Sequence, residues 1–81
     1  MLWGHEELGT IQGGQSGYVT VTFDTPFSEV PRVLATPLTI SSQDASFEIT
    51  LLRVQADSFQ IKLTNRGQIA KTGWADWFAI L

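Results

Sequence analysis

The stretch Trp74-Ala75-Asp76-Trp77-Phe78-Ala79-Ile80-Leu81 decides the fold. Side chains of a β-strand alternate between its two faces. Trp74, Phe78 and Ile80 therefore share one face with Asp76, and Ala75, Trp77, Ala79 and Leu81 share the other. One apolar face can fill the core of a small domain. The other needs a cover, and a second copy of the chain is the expected one.

Working back from this strand, apolar runs of alternating pattern recur between clusters of Gly, Pro, Ser, Asn and Asp, while sustained i, i+3, i+4 spacing is absent. Strands are expected over Leu8–Gln12, Tyr18–Asp24, Arg32–Ile40, Ser46–Val54 and Ser58–Thr64, with the last entered through Lys71-Thr72-Gly73. Pro37 cannot donate to a ladder and marks an edge or a bulge. Phe27, between two prolines, is expected to plug one end, and Ser41–Ala45 to form a polar turn. Six short antiparallel strands make two three-stranded sheets packed face to face. The third, fourth and sixth are apolar on both faces and are expected to form the sheet that meets neighbouring protomers.

The chain has 81 residues, enough for a single domain over residues 1–81. At this size roughly 60–65% of the unfolded chain's surface is buried, and without cysteine there is no disulfide or thiolate metal site to add stability. Oligomerisation is the remaining route. The net charge is −3, and the basic residues Arg32, Arg53, Lys62, Arg66 and Lys71 form no patch in the sequence, which argues against nucleic acid. No run reaches the roughly 18 apolar residues of a membrane span. The opening Met1-Leu2-Trp3-Gly4-His5-Glu6-Glu7 has no basic segment of a secretory signal and suits a native start or a fragment of a longer protein.

Catalytic chemistry finds little support. The single histidine, His5, falls in the first turn of the chain and reads as solvated. No triad can be assembled around it. Asp24, Asp44 and Asp57 stand beside turns, as Asp prefers. Asp76, inside an apolar strand, needs a partner, with Arg53 or Lys71 as candidates in an interface salt bridge. No metal-ligand spacing is present. Gly13-Gly14-x-x-Gly17 lacks the Lys-Ser/Thr of a phosphate loop and precedes a strand. No enzyme, metal or cofactor is expected. Binding is better supported. The tips Gly13–Gly17 and Asn65–Gln68 combine small residues with amide or guanidinium donors, the groups that fix polar ligands.

Several elements together resemble a known family. Val19-Thr20-Val21-Thr22-Phe23, Phe27 and Pro31-Arg32-Val33 match a "V-x-F … F/Y … P-x-V" opening. Val54 followed by Ser58-Phe59-Gln60-Ile61 matches a "V-x-x-x-G-F-x-V" centre, with Ser58 in place of glycine. Trp77-Phe78-Ala79-Ile80 matches a closing "W-I-A-I". Over residues 9–81 the chain resembles the H-type lectin domain of invertebrate agglutinins, related forms of which occur in bacteriophage tail fibre and receptor-binding proteins.

The resemblance implies an all-β, six-stranded antiparallel sandwich in a homotrimer, with carbohydrate held in shallow sites between protomers. It implies ligand contacts from Gly13, Gly14, Gln15 and Ser16 after the first strand, from Thr50 on the fourth, and from Asn65 and Arg66 before the last. Where the agglutinins have a Trp-His pair, this chain has Asn65-Arg66, and it has Thr50 in place of their arginine. N-acetylgalactosamine specificity is therefore not carried over. The implied function is a carbohydrate-binding head, at the carboxy-terminal end of a phage or prophage tail fibre, that recognises host surface glycan. Its setting is the virion or the extracellular space. The alternative is a trimerisation or assembly domain of a virion fibre that binds no sugar.

Overall fold

A computed structural model describes residues 1–38 and 46–81 and holds six β-strands. They are β1 (Leu2–Ile11), β2 (Ser16–Thr22), β3 (Arg32–Leu38), β4 (Phe47–Leu52), β5 (Ser58–Asn65) and β6 (Lys71–Ile80). The expected turn at Ser41–Ala45, with Thr39 and Ile40 before it, lies outside the described residues. Among the described residues no helix is long and apolar enough to cross a membrane.

The strands form two antiparallel three-stranded sheets, ordered β1-β6-β3 and β2-β5-β4. The two-sheet architecture read from the sequence is thus present. Its allocation of strands is corrected: β3 and β6 do share a sheet, but their third partner is β1, and β4 lies in the other sheet. The inner residues of β4, Phe47, Ile49 and Leu51, continue the alternation of β5, which draws β4 to that side.

The first strand is also longer than expected. Gly4 and the acidic Glu6-Glu7 disguise it, yet Trp3, His5 and Glu7 point outward, and Gly4 and Glu6 inward, in register with β6. An inward Glu6 is tolerated because its Oε2 accepts the Trp77 indole N–H at 3.1 Å. A bulge between Glu7 and Gly9 shifts the register, and the ladder continues to the pair Ile11–Lys71.

The central strands supply the core. Phe59 and Ile61 of β5 pack in one buried cluster with Ala75, Trp77 and Ala79 of β6, and the buried Leu63 lies against Gly73. Small alanines on β6 leave room for the Trp77 ring, which packs edge-on against Phe59 with ring centres 5.2 Å apart and lies 5.8 Å from Phe23. Phe27 closes this end, edge-on to Phe23 at 5.1 Å, as its place between prolines predicts. Pro37 occupies an edge strand, where a residue without an N–H is tolerated.

The outer faces differ in chemistry. That of β1-β6-β3 carries the rows Trp3–Phe78–Leu34 and Glu7–Trp74–Leu38, separated by His5–Asp76–Thr36. Trp3 is 78% exposed, Leu34 57% and Phe78 41%. Here the expected second apolar face of the last strand is seen directly. Asp76 takes its partner from β1, not from Arg53 or Lys71: His5 Nδ1 lies 2.6 Å from Asp76 Oδ1. His5 is thus a strand residue with a carboxylate partner, and its side chain remains exposed.

Candidate functional site

The outer face of β2-β5-β4 is polar. Alternation turns Ser16, Tyr18, Thr20 and Thr22 of β2 outward, with Ser58, Gln60, Lys62 and Thr64 of β5 and Glu48 and Thr50 of β4. The ladders align them into rows: Ser16–Thr64–Glu48 at one end, then Tyr18–Lys62–Thr50, then Thr20–Gln60–Leu52.

At the Ser16 end two loops are bound to each other. The Gly14 N–H donates to the Asn65 carbonyl at 2.7 Å, and the Asn65 N–H to the Gln15 carbonyl at 2.9 Å. The Arg66 N–H donates to the Ser46 carbonyl at 2.7 Å, fixing the entry to β4 beside them. Glycine is required here. A Cβ on Gly13 would stand 2.6 Å from the Gln68 carbonyl oxygen, and Gly14 has φ +78°. Side chains rarely adopt that backbone, and glycine does so freely.

The residues expected from the sequence are thereby sorted. Gly14, Gln15, Ser16, Asn65 and Arg66 converge on this corner, and Thr50 lies one row inward on the same face. Asn65, expected as a ligand contact, is turned into the fold. Its side chain is 1% exposed. Its Nδ2 donates to the carbonyls of Ile11 and Ile69, each at 2.9 Å, and its Oδ1 accepts the Gly67 N–H at 2.9 Å. Asn65 therefore ties the corner together from within.

Arg66 is exposed but not alone. Its Nε and Nη2 donate to the two carboxylate oxygens of Glu48 at 3.0 and 3.2 Å. The hydrogen bonds from Arg66, and then its charge, hold the Glu48 carboxyl below the usual carboxylate range. The same bonds raise Arg66 above its ordinary value. A bidentate pair leaves three of the five guanidinium N–H groups free, and each carboxylate oxygen keeps a lone pair. Beside it, Ser16 Oγ and Thr64 Oγ1 share one hydrogen bond at 2.7 Å, leaving a second hydroxyl proton to donate. Donors and acceptors thus stand side by side, as vicinal hydroxyls require.

Glu48, Thr64 and the Tyr18–Lys62 pair were not singled out from the sequence. The Lys62 ammonium lies 6.0 Å from the centre of the Tyr18 ring, and Tyr18 is 56% exposed. The signal was present in the alternation: once Phe47, Ile49 and Leu51 point inward, Glu48 and Thr50 must point outward together.

Comparison with known proteins bears on the fold and the family. A search of curated proteins gives no match. Among solved structures, the P. aeruginosa R1 pyocin fibre, solved as a C-terminal portion, superimposes with a TM-score of 0.79 at 19% sequence identity. The match covers 98% of this chain and 22% of the fibre chain, so this chain spans about a fifth of that neighbour's length. At such identity the likeness concerns the fold. The H-type lectin domain profile matches residues 18–80, most of the chain, from within β2 to the end of β6. The chain belongs to the H-type lectin domain family.

Proposed function

We propose that this domain is a carbohydrate-binding head of a phage-tail-like fibre, acting on the virion or outside the cell and recognising host surface glycan. The observation that carries this reading is the corner where Arg66 and Glu48 present matched donors and acceptors beside Ser16 and Thr64. Gly14, Gln15 and Ser16 provide the adjoining rim, and Thr50 and Tyr18 extend the surface inward. The family match and the fibre to which the fold is similar support the same role.

The exposed row Trp3–Phe78–Leu34 supports assembly through the opposite sheet. Contiguous apolar surface of this kind marks association, and a domain this small gains stability from it. The expected assembly is a homotrimer. Shallow saccharide sites bind weakly one at a time, and a rigid multivalent head raises avidity without new contacts.

One observation favours the alternative, an assembly domain that binds no sugar: Asn65 and Arg66 both have partners within the fold. A glycan array separates the two. The wild-type head is expected to retain a defined set of glycans, and Arg66→Ala to lose them with its mass unchanged. A correctly assembled protein that retains no glycan assigns the domain to assembly, and an Arg66→Ala variant that binds as well as wild type places the glycan away from this corner.

A further inference from the structure

At the far end of the polar face, some six residues along β5 and so about 20 Å from the Arg66 corner, lies a separate concavity. It has a volume of about 210 Å³ and is lined by Thr20, Arg53, Gln55, Ser58, Phe59 and Gln60. No carboxylate is among these residues, although the chain as a whole is acidic. The nearest in sequence, Asp57, accepts the Ser58 hydroxyl at 3.1 Å. Arg53 forms no ion pair among the described residues, in contrast to Arg66, whose charge is matched by Glu48.

Arg53 also has φ +52°, the one non-glycine residue with positive φ among those described. The left-handed region costs free energy that glycine escapes, so stability alone favours glycine at this position. The surroundings hold the turn in place. The Gln55 N–H donates to the Ser58 carbonyl at 2.8 Å, and the Phe23 N–H to the Asp57 carbonyl at 2.9 Å. An unmatched guanidinium, two amides and two hydroxyls thus line one concave surface, contributed by β2, β5 and the turn that follows β4. Arginine in a fork geometry suits planar or tetrahedral oxyanions, and the amides suit hydroxyls.

We infer that the Arg53 concavity is a second saccharide subsite, separate from the Arg66 corner, that takes a sugar unit bearing a carboxylate or a phosphate. The saccharide part of this inference rests on the carbohydrate-binding reading above, and the anion part on Arg53 and its surroundings. The two subsites then divide the work: the Arg66–Glu48 corner reads hydroxyls, and Arg53 reads acidity.

The test is a titration of the isotope-labelled domain, followed through its backbone amide resonances, with glucuronic acid, glucose 6-phosphate, glucose and inorganic phosphate. The two acidic sugars are expected to shift Arg53, Gln55, Ser58 and Gln60 in the millimolar range, and glucose about tenfold more weakly, the equivalent of one charge-assisted hydrogen bond. Arg53→Gly removes the guanidinium and relaxes the backbone, so its thermal midpoint should equal or exceed that of wild type while the shifts vanish. Absence of shifts with both acidic sugars overturns the inference, as does their persistence in Arg53→Gly. Equal affinity for inorganic phosphate and glucose 6-phosphate also overturns it, since the sugar then adds nothing. Arg66→Ala separates this inference from the reading of the corner. It should leave the Arg53 shifts intact even where glycan binding on the array is lost.

Discussion

His5 Nδ1 and Asp76 Oδ1 lie 2.6 Å apart across the β1–β6 ladder, between the apolar row Trp3–Phe78–Leu34 and the row holding Trp74 and Leu38. Their side chains are 53% and 50% exposed in the single chain. An exposed ion pair contributes only about 0–1 kcal/mol. A pair covered by a neighbouring copy behaves differently, because truncating one member strands the other away from water.

A double-mutant cycle with His5→Ala and Asp76→Ala reads out that difference. If another copy covers this face, the coupling measured on the assembled protein should exceed about 1 kcal/mol. Coupling within the exposed range would place the pair in water and the interface elsewhere.

Trp77→Ala removes the aromatic that joins both sheets and empties the space among Phe23, Phe59 and the β6 alanines. Loss of a buried aromatic of this size costs about 3–5 kcal/mol, a large share of the stability of so small a domain. Urea unfolding should find the variant largely unfolded. A folded, soluble variant would contradict the placement of Trp77 at the centre of the core.

Asn65→Ala separates a positioning role from ligand contact. It leaves the carbonyls of Ile11 and Ile69 and the N–H of Gly67 without their side-chain partner. Unsatisfied buried groups cost about 1–3 kcal/mol each, so a loss of at least about 2 kcal/mol in chemical unfolding is expected. A variant as stable as wild type would return Asn65 to the list of ligand contacts.

Glu48 should titrate below its ordinary value of 4.5, because Arg66 bonds to the ionised form. A carboxyl depressed in the folded state binds protons more readily in the unfolded chain. Its contribution to stability is complete above the ordinary value and is lost as pH falls through the lowered one. Near neutrality it is flat. Following the Glu48 carboxyl carbon by NMR should show a higher midpoint in Arg66→Ala than in wild type. Equal midpoints would mean the pair does not persist in solution.

Much of the fold was legible because alternation is a local property. Val19, Val21 and Phe23, or Phe59, Ile61 and Leu63, declare their inner face without reference to any other strand. Sheet membership is not local. β4 and β6 both carry apolar residues on two faces, and only pairing with β5 or with β1 and β3 assigns them to different sheets. β1 was hidden because its inner face uses Gly4 and Glu6, which are acceptable only through the size and the indole N–H of Trp77, a residue 71 positions from Glu6.

The site was legible in part for the same reason. Loop tips containing Gly14, Gln15 and Arg66 reveal themselves by residue type. The partners that set their chemistry come from other strands: Glu48 for Arg66, Thr64 for Ser16. Asn65 has the composition of a ligand contact, and only the proximity of Ile11 and Ile69 shows that its amide is already occupied.

The proposed division of labour between the two outer faces, the apolar one covered by another copy and the polar one open to ligand, is tested most directly by hydroxyl-radical footprinting of the assembled protein. Trp3 and Phe78 should be protected although exposed in the single chain, while Tyr18 on the opposite face is labelled freely. The solution mass measured alongside should be about 27 kDa, three chains of 9.0 kDa. Labelling of Trp3 and Phe78 as heavily as Tyr18 would contradict the division.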